Sequence, residues 1–391
     1  MTEGNGGMID SVEKLMRMAK ASAILGTLQA GYTNFRYVTD ATRRITEREA
    51  LLGASITGWM NNPEILFNEE NLLAATTEIK KVNREIAAML GIRPAARTTA
   101  VKPSGNASTL LGCASGIHGD HSPRYFRNVQ LNVDTEVCKL IAKVNPAMVE
   151  KSVWNNNGTD VVVSYPIIAK EGSLYKSELL GVKQLEFVKQ AQMQWVMGGT
   201  DKELCVDPRM THNVSNTITV DDWDAVEQFI FDNRYYFSGV SLLASAGDKA
   251  YAQAPFTEVH TPEEMLEMYG VAAFFASGLI VDGRHAFDNN LWMACDTALG
   301  MGLTLDEDNS DHLLKRDWVR RAHKFAKTYF EGDMAKMSFC LKDAHNLHKW
   351  ESITRSIKDI DFADSLQEVK YTEVDTMAAA GCSGGVCEIQ F

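Results

Sequence analysis

The sequence predicts an α/β fold, and three observations carry that prediction. Five short runs have strand composition: Thr98–Lys102, Tyr125–Asn132, Asp160–Ile167, His212–Val220 and Ser238–Leu243. Helical patterns fall between most of them, at Asn106–Leu111, Asp134–Lys143, Lys183–Met197 and Asp222–Asn233. Strand and helix in alternation imply a sheet with crossover connections. The third observation is composition. A chain of 391 residues with 45% apolar and 23% charged residues buries a large core without disulfides. Five strands are enough for half of something larger.

The elements before residue 97 read as helices. Val12, Leu15, Met16, Ala19 and Ala23 recur at helical spacing, and Gly26 or Gly31 offers a stop. Thr46-x-x-Glu49 has capping-box form and starts a second helix ahead of Ala50 and Leu51. Asn71–Leu90 is a third helix, ended by Gly91. Beyond Pro262 the pattern is mostly helical, at Glu263–Tyr269, Asp311–Phe330 and Ser338–Trp350. Residues 1–10 are small and polar and are expected to be a flexible start. The stretch Met377–Phe391 is Gly-rich and reads as part of a mobile tail over 371–391.

Charge excludes some functions. With 39 Lys+Arg against 51 Asp+Glu the net charge is -12, which opposes nucleic acid and anionic membranes. The apolar run Val271–Val281, broken by Ser277 and Gly278, is too short to span a bilayer. The N-terminal residues include Glu3, Asp10 and Glu13 with no apolar stretch, so no secretory signal is expected there. Seven cysteines, an odd number over a long chain, read as reduced thiols of a cytoplasmic protein.

Two motifs carry chemistry. Cys382 and Cys387 are separated by four small or flexible residues near the C-terminus. That spacing lets two sulfurs meet, and an exposed dithiol on an arm can carry two electrons by thiol–disulfide exchange. An accidental pair, or half a zinc site, is the plainer reading; zinc needs about four ligands, and none lies nearby in sequence. The run Val101-Lys102-Pro103-Ser104-Gly105-Asn106-Ala107-Ser108 follows a predicted strand and opens a predicted helix. Free backbone N–H groups and the positive end of the helix dipole there suit a phosphate. A capped helix start after a tight turn explains the same residues. Weaker signals are His118/His121 and Asp343/His345/His348 as metal ligands, and Tyr235-Tyr236 as adjacent rings entering a strand. The single thiols, such as Cys113 and Cys340, read as core residues.

Several stretches in order resemble one family. They are Leu51–Gly58, Arg97–Ser108, Gly116–Arg127, His212–Val220, Phe237–Leu243, Tyr251–Phe256 and the tail Cys-x4-Cys. Together they resemble the adenosylcobalamin-dependent ribonucleoside-triphosphate reductases, the monomeric class II ribonucleotide reductases. The resemblance implies a ten-stranded α/β barrel of two five-stranded halves, of which this chain would supply the second, with flanking helices over 11–370. It implies adenosylcobalamin as cofactor, a ribonucleoside triphosphate as substrate and a thioredoxin-type reductant. In that chemistry a thiyl radical takes the ribose 3′-hydrogen, the 2′-hydroxyl leaves as water, and a dithiol supplies two electrons.

The family's finger-loop segment with its radical cysteine, and its in-barrel cysteine pair, have no counterpart here. The expectation is therefore a C-terminal half acting with an N-terminal half chain that carries the finger-loop cysteine. Pro103, Ser104, Gly105, Asn106, Ala107 and Ser108 would bind substrate phosphates, and Cys382 and Cys387 would be the redox shuttle. Position 106 is Asn where relatives usually show Thr, and Asn also caps helices. A non-catalytic nucleotide-binding paralogue and a free-standing dithiol oxidoreductase are the competing readings.

Overall fold

The computed structural model describes residues 1–102, 104–153, 155, 157–245, 253–286 and 316–362. In chain order its first elements are β1 (Thr2–Asn5), α1 (Val12–Ala30), α2 (Asp40–Glu49), β2 (Ala54–Thr57), α3 (Pro63–Leu66), α4 (Glu69–Leu90) and α5 (Gly105–Leu111). Then come β3 (Arg124–Asn132), α6 (Glu136–Val144), β4 (Val149–Lys151), β5 (Asp160–Ile168), α7 (Gly181–Ala191), β6 (Thr217–Val220), α8 (Trp223–Asp232) and β7 (Ser241–Ala244). The last are β8 (Phe256–Glu258), α9 (Pro262–Tyr269), α10 (Ala272–Ala286), α11 (Arg316–Tyr329) and α12 (Met334–Ser356). They form two compact units, 1–123 with 168–249 and 124–167 with 250–391.

The first unit is built on parallel pairings. β1 pairs with β2, Ala54 bridges to Thr99, Val101 bridges to Val214, and β6 pairs with β7, all in parallel. The segment around Val214 runs directly into β6. Five extended segments therefore lie side by side in the order β1, β2, 98–101, 213–220, β7. Helices occur in each connection, as parallel pairing requires.

Alternation along these segments separates two faces. Ala54, Ile56, Val101, Val214, Ile218 and Val220 are buried in one apolar cluster with Leu15 of α1, Leu72 and Ile79 of α4, Leu185 and Val188 of α7, and Val226 of α8. Trp59 and Trp195, both fully buried, meet edge to face with centroids 6.0 Å apart. Trp195 Nε1 donates to the Ala100 carbonyl at 3.2 Å, so this ring anchors the third segment as well as filling space. Truncating a ring so placed costs about 3–5 kcal/mol.

The helices start and stop for local reasons. Ser11 caps α1, its Oγ accepting from Lys14 N at 3.3 Å. Asn68 caps α4 through Asn71 N at 3.1 Å, and the helix closes at Gly91 as the sequence predicts. The Thr46/Glu49 pair does not start a helix. It lies in the last turn of α2, which is capped by Thr39, and Ala50 turns left-handed (φ 44°) into the approach to β2. Glu49 faces inward instead, ion-paired with Arg97 at 2.8 Å and Arg48 at 3.0 Å.

Two further corrections concern strands. Residues 1–10, expected to be a flexible start, carry β1, whose register with β2 is set by Thr2 opposite Ala54. The runs Tyr125–Asn132 and Asp160–Ile167 do form strands, but not in the parallel series. They belong to the second unit, in a four-stranded sheet of order β4-β5-β3-β8 whose β3/β8 and β4/β5 pairs are antiparallel. Phe126, Ile141, Met148, Val163 and Ile353 form the core there. A second cluster in that unit joins α9, α10, α11 and α12 through Met265, Ala276, Phe325, Met337 and Leu341. No single helix among the described residues is long and apolar enough to cross a membrane.

Candidate functional site

The second face of the parallel series is polar. Glu3 stands opposite Ser55 and Asn5 opposite Thr57. By alternation Ala100, Lys102, Asn213, Ser215, Thr217 and Thr219 continue that face. Asn213, Ser215, Thr217 and Thr219 are exposed or half-buried, while Val214, Asn216, Ile218 and Val220 between them are buried. Parallel sheets are ordinarily covered on both faces by apolar residues. Ser55, Thr57 and Ala100 on this face are buried, whereas Lys102 and the 213–219 residues of this face are accessible. A polar, partly accessible face of this kind is suited to line a ligand space. A cavity of about 360 Å³ lies by the starts of β1 and β2, lined by Met1, Gly26, Gln29, Ala30, Leu51, Leu52, Gly53, Ala100, Lys102, His212 and Asn213; Glu3, Asn5, Ser55 and the Ser104–Ser108 turn do not line it.

The C-terminal ends of the strands are tied by side chains. The Thr57 hydroxyl, fully buried, donates to the Ala114 carbonyl at 3.0 Å and accepts from Gly116 N at 2.9 Å. Asn61 accepts from Ala114 N at 2.8 Å and donates to Asp120 Oδ2 at 3.0 Å and Ser173 Oγ at 2.9 Å. Asn62 donates to the Gly6 carbonyl at 2.6 Å, and Lys170 Nζ donates to Asn62 Oδ1 at 2.6 Å and to the Gly7 carbonyl at 2.9 Å. These amides and hydroxyls fix the loops that follow β1 and β2, the position where open α/β sheets bind ligands.

Ser104 to Ser108 sit at this end, after the third strand. Pro103 lies outside the described residues. Ser104 is buried and its Oγ donates to Thr57 Oγ1 at 2.8 Å, so it does not cap α5. Ser108 is buried and donates back to the Gly105 carbonyl at 3.1 Å. Both hydroxyl protons are thus engaged within the chain. What faces outward is Gly105 and Asn106, both exposed, and the first-turn N–H groups of the helix, which have no intrahelical acceptor. Gly105 is not in the left-handed region, and a Cβ built on it meets no atom within 4 Å. Nothing in the fold itself requires glycine at this position.

Cys113 lies beside this loop. Gly58 has φ 80°, and a Cβ there would come within 2.9 Å of Cys113 Cβ and of Asn61 Oδ1. Burial pushes the Cys113 thiol up to about 11, against a hydrogen bond with Thr57 that acts the other way, so it stays protonated near neutral pH. Cys113 is half-buried and lies in no core cluster, so the core reading fits Cys138 and Cys340, which are buried, and not Cys113.

The weaker sequence signals resolve into packing. His118 Nδ1 bonds the Ser115 carbonyl at 3.0 Å, and its Nε2 accepts from Thr217 N at 2.9 Å. That pattern holds a neutral ring with the proton on Nδ1, and burial lowers its pKa. No group of three or more His, Cys, Asp or Glu among the described residues is placed to hold a metal ion. Tyr235 and Tyr236 form a short turn, not a strand entry; Arg234 lies 4.8 Å from the Tyr235 ring. Cys382 and Cys387 lie outside the described residues.

No family model matches the chain. Its sequence relatives are cobalamin-linked reductases. A probable adenosylcobalamin-dependent ribonucleoside-triphosphate reductase of Dictyostelium discoideum is 22% identical over 187 residues, 46% of this chain and 22% of that protein. The adenosylcobalamin-dependent ribonucleoside-triphosphate reductase of Euglena gracilis is 25% identical over 187 residues, 47% of this chain and 23% of that protein. In structure the chain resembles a B12-dependent class II ribonucleotide reductase with TM-score 0.52 and 18% identity, over 63% of this chain and 36% of the other. That likeness shows the fold, mixed α/β. The matches span about a quarter of the length of the two curated relatives.

The sequence reading missed Glu3, Asn5, Thr57, Asn61, Asn62 and Lys170. The signal for the first three was alternation over only four residues at a time, Thr2–Asn5 and Ala54–Thr57. Strands that short, with glycine in or beside them, are hard to tell from loops.

Proposed function

We infer that this chain is the C-terminal part of an adenosylcobalamin-dependent ribonucleoside-triphosphate reductase, working with a partner chain that carries the radical cysteine. The observation that carries this reading is the polar face of the parallel series, with the Ser104–Ser108 turn at its C-terminal edge. It is supported by the named relatives and by the likeness of fold to a class II enzyme. The five parallel segments would in this reading be one half of a ten-stranded barrel, and the polar face would be the wall of its interior.

In this reading the triphosphate rests on the first-turn N–H groups of Gly105, Asn106 and Ala107, at the positive end of α5. Lys102, exposed and on the polar face, adds positive charge beside them. The network through Thr57, Asn61 and Asn62 holds the turn still, so that binding does not have to order it. Adenosylcobalamin, when bound, supplies the radical that starts the reaction. The strand-end groups are amides, hydroxyls, one protonated thiol, the Asp120 carboxylate and the Lys170 ammonium, a set that fits sugar and phosphate and not the broad corrin ring. The corrinoid is accordingly not assigned to this chain's residues, and the radical cysteine and in-barrel dithiol belong to the partner. Cys382 and Cys387 would return electrons from a thioredoxin-type reductant to that dithiol by thiol exchange.

Reconstitution tests the reading. The purified chain with adenosylcobalamin, a ribonucleoside triphosphate and a dithiol should form no deoxynucleotide. Addition of the finger-loop half should restore formation. Turnover by this chain alone, or an inactive complex of the two halves, overturns it.

A further inference from the structure

We propose that Glu3 is the hydrogen-bond acceptor for a ribose hydroxyl on the polar face, so that this carboxylate selects hydroxylated over deoxygenated sugars. This rests on the nucleotide reading above and deepens it.

Glu3 lies on the inner face of β1, in register with Ser55. Ser55 Oγ donates to Glu3 Oε1 at 3.5 Å, a long contact at the limit of hydrogen bonding. Ser104 Oγ is also within reach of this carboxylate, yet its proton is directed to Thr57 Oγ1 at 2.8 Å. The Glu3 neighbours that matter electrostatically are these two hydroxyls, with no cation among them in the described residues. Burial accordingly raises its pKa. A half-buried carboxylate with weak donors and no counter-charge is unfavourable for folding alone, and such groups mark binding sites.

A second acceptor points the same way. Asn5 shares the face with Glu3, two residues along the strand. Its Nδ2 donates to the Leu111 carbonyl at 2.8 Å, while its Oδ1 is buried and accepts from no group. Two under-supplied acceptors on one face call for a ligand that brings donors. A metal ion would need more anionic ligands than one carboxylate, and Lys102 on the same face opposes a cation. A sugar hydroxyl is a neutral donor of the right size, and the phosphate turn at Ser104 is the carboxylate's immediate neighbour.

Titration calorimetry of the full chain with ATP, 2′-deoxy-ATP and 3′-deoxy-ATP tests this. Wild type should bind ATP about tenfold more tightly than at least one deoxy analogue, the usual size of a hydrogen bond to a charged group. Glu3→Gln should bring ATP down to the affinity of that analogue and leave the analogue unchanged. Glu3→Asp, which keeps the charge, should retain part of the preference. Thermal melting checks that each variant folds. If ATP binds but is not preferred, or if Glu3→Gln keeps the preference, the role of Glu3 is overturned and the phosphate site stands. If neither ATP nor its analogues bind, the phosphate site fails and Glu3 with it.

Discussion

Ser104 Oγ donates to Thr57 Oγ1 at 2.8 Å, and this bond ties the turn after the third strand to the end of β2. Thr57 is fully buried, donates to the Ala114 carbonyl, accepts from Ser104 and Gly116 N, and lies in hydrogen-bond reach of the Cys113 thiol. Thr57→Val keeps the shape and removes the oxygen, which strands the Gly116 N–H and the Ala114 carbonyl, while the Ser104 hydroxyl can turn to Glu3. Leaving buried polar groups unpaired should lower stability by about 2 kcal/mol. A urea-unfolding midpoint, compared at constant slope, measures it. Thr57→Ser should lose much less, and equal losses for the two variants would argue for the methyl group instead.

Glycines 58 and 105 should behave oppositely. Gly58 combines φ 80° with contacts at 2.9 Å, so Gly58→Ala should destabilise by about 2 kcal/mol or more. Gly105 has open space, so Gly105→Ala should change stability by less than about 0.5 kcal/mol. Gly105→Val should then lower affinity for a ribonucleoside triphosphate with the melting temperature unchanged. Unchanged affinity in a folded Gly105→Val protein removes the phosphate assignment.

Stability should fall on mild acidification. His118 and His212 both have pKa values lowered by burial, and both accept or donate through a neutral ring. The unfolded chain therefore binds more protons than the folded one below the ordinary histidine pKa of about 6.5. Their contribution is complete above that value and is lost as the pH falls through the lowered folded pKa values. The double variant His118→Gln, His212→Gln should flatten unfolding free energy against pH in that window. A wild-type curve already flat between pH 5 and pH 7 contradicts the assignment, that window being roughly centred on the ordinary histidine value.

The tail cysteines separate two assays. In the complex with the finger-loop half, Cys382→Ser or Cys387→Ser should abolish multiple turnover with thioredoxin. Single turnover from a pre-reduced enzyme should survive if, as proposed, the in-barrel dithiol belongs to the other chain. A small dithiol that enters the site should partly rescue cycling. Normal cycling by the double variant with thioredoxin removes the shuttle role.

The sequence by itself determined the long helices and the α/β class. Val12–Ala30 and Glu69–Leu90 are legible because caps and a 3.6-residue apolar period are local signals repeated over several turns. The turn at Ser104–Ser108 was legible for the same reason, as a strand followed by helix-starting residues. Tertiary structure alone decided which strands share a sheet. Tyr125–Asn132 and Thr98–Lys102 look alike as sequences, but one pairs antiparallel in the second unit and the other lies between β2 and Val214. Pairing depends on contacts between residues far apart in the chain, which no local pattern encodes. The same holds for Glu3 and Ser55, brought face to face across 52 residues by a register that α1, packed beneath both strands, makes possible.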